Sequence, residues 1–217
     1  MIPETATTAT TANLNLATKH LSNRDPILAV IIEGAGVATI TPHKNYYQEL
    51  VESIISQQLS VKAAATILKR FVGLFSSSGF PTPDQILEKD IEALRKVGLS
   101  RQKAGYIQDL ARKVLDGTIR FNHLDGLSNE AVIAELTQIK GVGLWTVHMF
   151  LMFCMGRLDV LPVGDLGIKN GIKQLYGLAN LPTADVIERI ALENNWHPYE
   201  SIASWYVWQS IDNKPLL

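Results

Sequence analysis

A single cysteine in 217 residues removes several chemistries at once. Cys154 sits in the apolar run Met149-Phe-Leu-Met-Phe-Cys154, so internal disulfides, a four-cysteine iron-sulfur cluster and a cysteine-based zinc site are excluded. Excess charge is missing too: 20 Lys and Arg stand against 21 Asp and Glu, a formal net charge of −1. Proteins that hold nucleic acid by bulk electrostatics are usually basic, so any such contact here has to be local. No apolar run is long enough to cross a membrane, and there is no repeat of solenoid length. Residues 1–12, rich in Thr and Ala, carry neither a basic cluster nor a signal-length apolar core, and read as a disordered tail. Export and membrane insertion are not expected, and a reducing cytoplasm fits, with association to the nucleoid if the source is bacterial.

What is present is a folded, helical chain. Hydrophobic residues make up 47% and charged residues 19%, a balance that favours a globular core over disorder. Helical signals run from Asn13 onward, and only Ala29 to Ile40 is ambiguous, so the expected class is all-α. Tyr46, Leu50, Val51, Ile54 and Ile55 form one helical stripe, and Ser60 is placed to cap a second helix through Phe75. Between them lies the polar corner Ser56-Gln-Gln-Leu-Ser60. Thr82-Pro-Asp-Gln85 is a capping box. Asp90, Ser100 and Ser128 each precede a further helix, the last running from Asn129 to Gln138. Leu144 to Met155 is apolar on nearly every side, as expected of a buried central helix. Helices from Asp165 to Tyr176, Ala184 to Asn194 and Tyr199 to Ser210 complete the bundle.

Two segments carry the chemistry. In Leu136-Thr-Gln-Ile-Lys-Gly-Val-Gly-Leu-Trp-Thr146, a Gly-x-Gly pair joins two helical patterns. Gly141 and Gly143 allow φ > 0 and close backbone approach, and the amides that open the second helix lack intrahelical partners, which attracts anions such as phosphate. In Leu161-Pro-Val-Gly-Asp-Leu-Gly167, Asp165 stands at a new helix start, where the positive end of the helix favours its negative charge. Local cations near these segments are Lys140 at the hairpin tip, Lys96, Arg101 and Lys103 around an earlier turn, and Lys169 and Lys173 after Asp165.

Taken together, Ile55-Ser-Gln-Gln-Leu-Ser60, Val97-Gly-Leu-Ser-Arg-Gln-Lys-Ala104, Lys140-Gly-Val-Gly-Leu-Trp-Thr146 and Asp159-Val-Leu-Pro-Val-Gly-Asp-Leu-Gly-Ile-Lys169 resemble the helix-hairpin-helix and Gly/Pro-Asp signature of base-excision DNA glycosylases. The chain is most similar to the 3-methyladenine DNA glycosylase II branch. The resemblance implies a compact two-lobed bundle over 13–217, with a six-helix lobe at about 58–165, a second lobe from 13–57 and 166–217, and an active-site cleft between them. It implies a monomer that flips alkylated bases, 3-methyladenine and 7-methylguanine among them, out of duplex DNA and hydrolyses the bond to the sugar. With about 45 residues before Tyr46, no N-terminal β-rich domain of the kind some relatives carry is expected.

The same resemblance assigns roles. Asp165 is the catalytic carboxylate. Trp145 and Trp208 are the expected walls of the base pocket, because a cationic base stacks well on an indole; Met149, one turn beyond Trp145, either lines the same cavity or belongs to the core. Trp196 and Trp205 are assigned to the core. Gln58, or its neighbours Gln57 and Leu59, is the wedge that fills the space left by the flipped nucleotide. Lys140, Gly141, Gly143, Trp145 and Thr146 are the phosphate-binding candidates. The carbonyls of Thr137, Ile139 and Val142 are candidate ligands for a structural sodium or potassium ion; no other cofactor is required and no iron-sulfur cluster is expected. Trp145 occupies the position where bifunctional relatives place a Schiff-base lysine, which implies a monofunctional enzyme without AP lyase activity. His148 reads as a satisfied buried imidazole and His197 as part of a helix start. The competing functions are a helix-hairpin-helix module that binds DNA without catalysis and a glycosylase for other damaged bases.

Overall fold

The computed structural model describes residues 8–75 and 79–211. Among these residues there is no strand, only an isolated bridge between Thr8 and Arg157, so the all-α expectation holds. No described helix is long and apolar enough to cross a membrane. The chain divides into two compact units, one built from 8–44 with 148–211 and the other from 45–147.

The first unit opens with α1 (Thr11–Arg24) and α2 (Pro26–Ala35). Residues 8–12, expected as tail, are tied down: the Ala9 amide donates to the Gly156 carbonyl at 2.7 Å, and Thr10 caps α1 through the Asn13 amide. Residues 1–7 of that expected tail lie outside the described residues. The ambiguous Ala29 to Ile40 stretch is helical to Ala35, because Asp25-Pro26 is a strong start signal and Gly36 (φ 72) a stop. Asp25 is fully buried and accepts from the amides of Ile27 and Leu28, the Tyr176 hydroxyl and the Trp196 indole. Four donors offset the desolvation that would otherwise make a buried carboxylate untenable.

The second unit contains α3 (Tyr46–Ser56), α4 (Val61–Gly73), α5 (Pro83–Leu87), α6 (Ile91–Lys96), α7 (Arg101–Leu115) and α8 (Asn129–Leu136). Ser60, Thr82, Asp90, Ser100 and Ser128 all cap through their side chains, as the sequence indicates. The buried face of α3, with Leu50, Val51, Ile54 and Ile55, packs on α4 and α7. Each such side chain contributes roughly 1.5–3 kcal/mol by leaving water. The α8 helix stops at Leu136 instead of Gln138, where the chain turns into the hairpin.

Helix α9 (Leu144–Met149) begins in the second unit and continues covalently into the first as a π turn, Phe150–Cys154. The expected single buried helix to Met155 is thus widened in its second half, and its first turn is open: Leu144 is 50% and Trp145 42% exposed. The first unit closes with α10 (Leu166–Leu175), α11 (Ala184–Glu193) and α12 (Glu200–Ser210). The lobe limits read from sequence, 57/58 and 165/166, move to 44/45 and 147/148. The cause is packing: α3 belongs with α4 and α7, whereas Phe153 stacks near Trp208 and Leu158 and Val160 bond to Ser201. Asp165 therefore lies with the C-terminal helices.

Candidate active site

The hairpin in the second unit is held from below by α7. Gly141 takes φ 81, and a Cβ there would sit 2.0 Å from the Tyr106 ring, so both conformation and contact demand glycine. Asp109 accepts from the Lys140 amide at 3.0 Å and from Lys113. Against its own desolvation, the hydrogen bonds from Lys113 and the Lys140 amide hold the Asp109 carboxyl below the usual carboxylate range. The Lys140 side chain is 71% exposed and its ammonium lies 3.8 Å from Asp109, so part of its charge is already answered there.

Gly143 differs from the sequence expectation of two left-handed glycines. It is not among the positive-φ residues, and a Cβ at this position would meet nothing within 4 Å. Neither strain nor packing inside the described chain requires a glycine there. The amides of Gly141, Gly143 and Leu144 have no hydrogen-bond partner among the described residues, whereas that of Val142 is spent on the Ile139 carbonyl. Of the phosphate candidates, then, Gly141 and Gly143 offer open amides and Lys140 an exposed side chain. The Thr146 side chain is buried, and Trp145 presents its indole to solvent.

The polar corner after α3 lies in the same unit. Gln57 donates from Nε2 to the Gly141 carbonyl at 2.9 Å, which ties the corner to the hairpin. Lys103 donates to the carbonyls of Ile55 and Gln57, and burial lowers its pKa. It is turned inward, so it is not the surface cation that its neighbourhood in sequence implies. Arg101 is likewise engaged, by Glu92. Gln58 is exposed and carries φ 57, a left-handed backbone that is costly for a residue with a Cβ. Leu59 is half-buried. Of the three wedge candidates, Gln57 is committed to the fold and Gln58 projects from it.

In the first unit, Asp165 is the N-cap of α10 and only 8% exposed. Its Oδ1 accepts from the Ile168 amide at 2.8 Å and from the Trp208 indole Nε1 at 2.9 Å. Gly167 and Gly171, one turn apart on α10, let α12 come this close: a Cβ on Gly167 would be 2.9 Å from Trp208 Nε1, and one on Gly171 2.5 Å from Val207. Trp208 is 2% exposed, 5.9 Å from the Phe153 ring centroid. No face of its indole is open to solvent in this structure; what it offers the carboxylate is its N–H. Sequence reasoning gave Trp208 a stacking role and missed this bond, for which the only signal was the Gly-x-x-x-Gly spacing after Asp165.

The remaining residues divide plainly. Met149 is buried. Trp196 is in the core as expected, whereas Trp205 is half-buried with its ring edge on Tyr206. His148 is half-buried, its pKa lowered by desolvation, and it has no hydrogen-bond partner among the described residues, so it is not the satisfied imidazole expected. His197 Nδ1 donates to the Glu200 carboxylate at 2.9 Å beside the start of α12.

Comparison with known proteins gives concordant results. A family profile described as HhH-GPD superfamily base excision DNA repair protein matches residues 51–197. The alkylbase DNA glycosidase-like protein mag2 of Schizosaccharomyces pombe is 36% identical over 197 residues, which cover 89% of this chain and 92% of that one. Among solved structures, the 3-methyladenine DNA glycosylase Mag1 of Schizosaccharomyces pombe in complex with abasic DNA is similar with a TM-score of 0.76 and 35% identity, covering 89% of this chain and 95% of its own. A DNA-3-methyladenine glycosidase of Bacillus halodurans is similar with a TM-score of 0.78 and 39% identity, covering 89% and 88%.

Proposed function

Because this chain belongs to the HhH-GPD superfamily of base excision DNA repair proteins, we propose that it binds duplex DNA and hydrolyses the N-glycosidic bond of alkylated bases, 3-methyladenine first among them. The observation that carries the reading is the carboxylate of Asp165, fixed at the head of α10 by two donors on one oxygen.

The anomeric carbon is hidden while the base is stacked, so extrusion precedes chemistry. A methylated purine such as 3-methyladenine or 7-methylguanine carries positive charge and leaves with the bonding electron pair as the C1′–N bond breaks. The deoxyribose becomes an oxocarbenium-like cation. The Asp165 carboxylate stabilises that charge and orients a water, whose oxygen bonds to C1′ as its proton passes to the carboxylate. Holding Oδ1 on Trp208 and Ile168 keeps the carboxylate aimed without reorganisation during the reaction.

The hairpin is the reading's phosphate site: open amides at Gly141 and Gly143 and the exposed Lys140 suit a backbone phosphate, and the unneeded absence of a Cβ at Gly143 leaves room for another chain. Gln58 is the wedge, since Gln57 is engaged elsewhere. A structural sodium or potassium ion fits the carbonyls of Thr137, Ile139 and Val142, because those of Thr137 and Val142 accept no hydrogen bond among the described residues and that of Ile139 keeps a second lone pair; when bound it would offset phosphate repulsion. Trp145 supplies no amine, so no Schiff base forms at that position and the enzyme is monofunctional.

The test is incubation of purified protein with methylated duplex, with free base and strand nicks measured separately. Base release without nicking is expected. Asp165→Asn is expected to slow release by about two to three orders of magnitude; unaltered release overturns the mechanism, nicking without alkali overturns the monofunctional assignment, and binding without release favours a non-catalytic module.

A further inference from the structure

We propose that Lys103 is a positioning residue for base extrusion: its ammonium holds the turn that carries Gln58, and α7 keys that turn to the phosphate-gripping hairpin. The inference rests on the reading of Gln58 as the wedge.

The carbonyls of Ile55 and Gln57 lie at the end of α3, where the helix has no further amide to offer them. Lys103 Nζ takes both, at 2.8 Å from Ile55 and in a short contact with Gln57, and places positive charge at the negative end of a helix. A lysine used for phosphate contact would leave its ammonium in water; this one gives up hydration, which lowers its pKa. The left-handed backbone of Gln58 (φ 57) is one a glutamine leaves unless its neighbours hold it. Lys103 anchors the residue on its N-terminal side.

One helical turn along, Tyr106 lies beneath Gly141, and Asp109 receives the Lys140 amide. Gln57 closes the loop through its bond to the Gly141 carbonyl. One side of α7 thus sets the spacing between the wedge turn and the hairpin that grips the strand, so a gripped phosphate and an inserted side chain are kept in register.

Extrusion costs most when the lesion is both paired and stacked, and less when it has no partner base. In single-turnover assays of the full chain, release of 7-methylguanine is timed from a duplex in which it pairs with cytosine and from the same duplex with an abasic residue opposite. Lys103→Met is expected to slow the paired substrate roughly tenfold and the unpaired one by less than about twofold. Lys103→Arg, which keeps the donors, restores most of the rate, and Lys103→Gln gives the same paired-to-unpaired ratio in a less drastic form should the methionine variant not fold. Gln58→Ala is expected to show the same paired-only loss, and the double variant to be no slower than the slower single one. Equal slowing of both substrates by the Lys103 variants, or a double variant at the product of the singles, overturns the role of Lys103. A Gln58→Ala variant that treats paired and unpaired lesions alike overturns the wedge reading instead.

Discussion

Replacing Trp208 by Phe separates two roles that one buried indole could play. The phenyl ring keeps an aromatic in the core beside Phe153 but removes the Nε1–H that holds Asp165 Oδ1 at 2.9 Å. A hydrogen bond to a charged group is worth about 1.5–3 kcal/mol, and about 1.36 kcal/mol corresponds to tenfold in rate. Because the Ile168 amide still holds the same oxygen at 2.8 Å, the loss is expected near the lower end, about tenfold to thirtyfold in the rate of base release. The smaller ring also leaves space in the core, for a stability loss of roughly 1–3 kcal/mol, which a thermal melt reads independently. The assay is single-turnover release from two duplexes, one with a cationic methylated base and one with a neutral damaged base. If the N–H aims the carboxylate, both slow by the same factor. Slowing of the cationic base alone would mean that the indole acts by stacking, and a folded variant with unchanged rates on both would refute the geometric argument altogether.

Gly141→Ala forces a Cβ to 2.0 Å from the Tyr106 ring on a backbone at φ 81, and is expected to lower stability by about 2–5 kcal/mol, seen as a fall in Tm together with weakened DNA binding. Asp25→Asn places an amide among four donors and is expected to cost about 3 kcal/mol or more in denaturant unfolding; a cost under 1 kcal/mol would show that the cluster does not hold the first unit together. Lys140→Ala is expected to reduce the slope of log affinity against log salt by about 1, with excision from saturated complexes little changed. Burial lowers the folded pKa of His148 below 6.5, so as pH falls through 6.5 the unfolded chain takes a proton that the folded chain refuses, and stability is lost down to the folded pKa; His148→Phe is expected to flatten that part of the curve.

Punctuation made most of the fold legible in the sequence. Ser60, the Thr82 box, Asp90, Ser100 and Ser128 are short-range signals whose partners sit two or three residues away, so tertiary context had little to override. The lobe limits were less legible, because membership of α3 and of the stretch after α9 is decided by packing between residues far apart in the chain. The π turn at Phe150–Cys154 has no signature in an apolar run that satisfies helix periodicity either way. At the site, Asp165 and Gly141 could be read locally, whereas the Trp208 bond and the inward turn of Lys103 could not. A lysine's stem reaches several ångströms in any direction, and only its surroundings decide between water and a pair of carbonyls.

The arrangement of Asp25 bears on how the protein is born from the ribosome. Its Oδ2 takes both donors from Tyr176 and Trp196, hydroxyl and indole that are synthesised long after it, while the corner, the hairpin and the helix beneath them come from one uninterrupted stretch of chain. The whole stretch that carries the corner and the hairpin is therefore synthesised before α10 and α12, the two helices that hold Asp165.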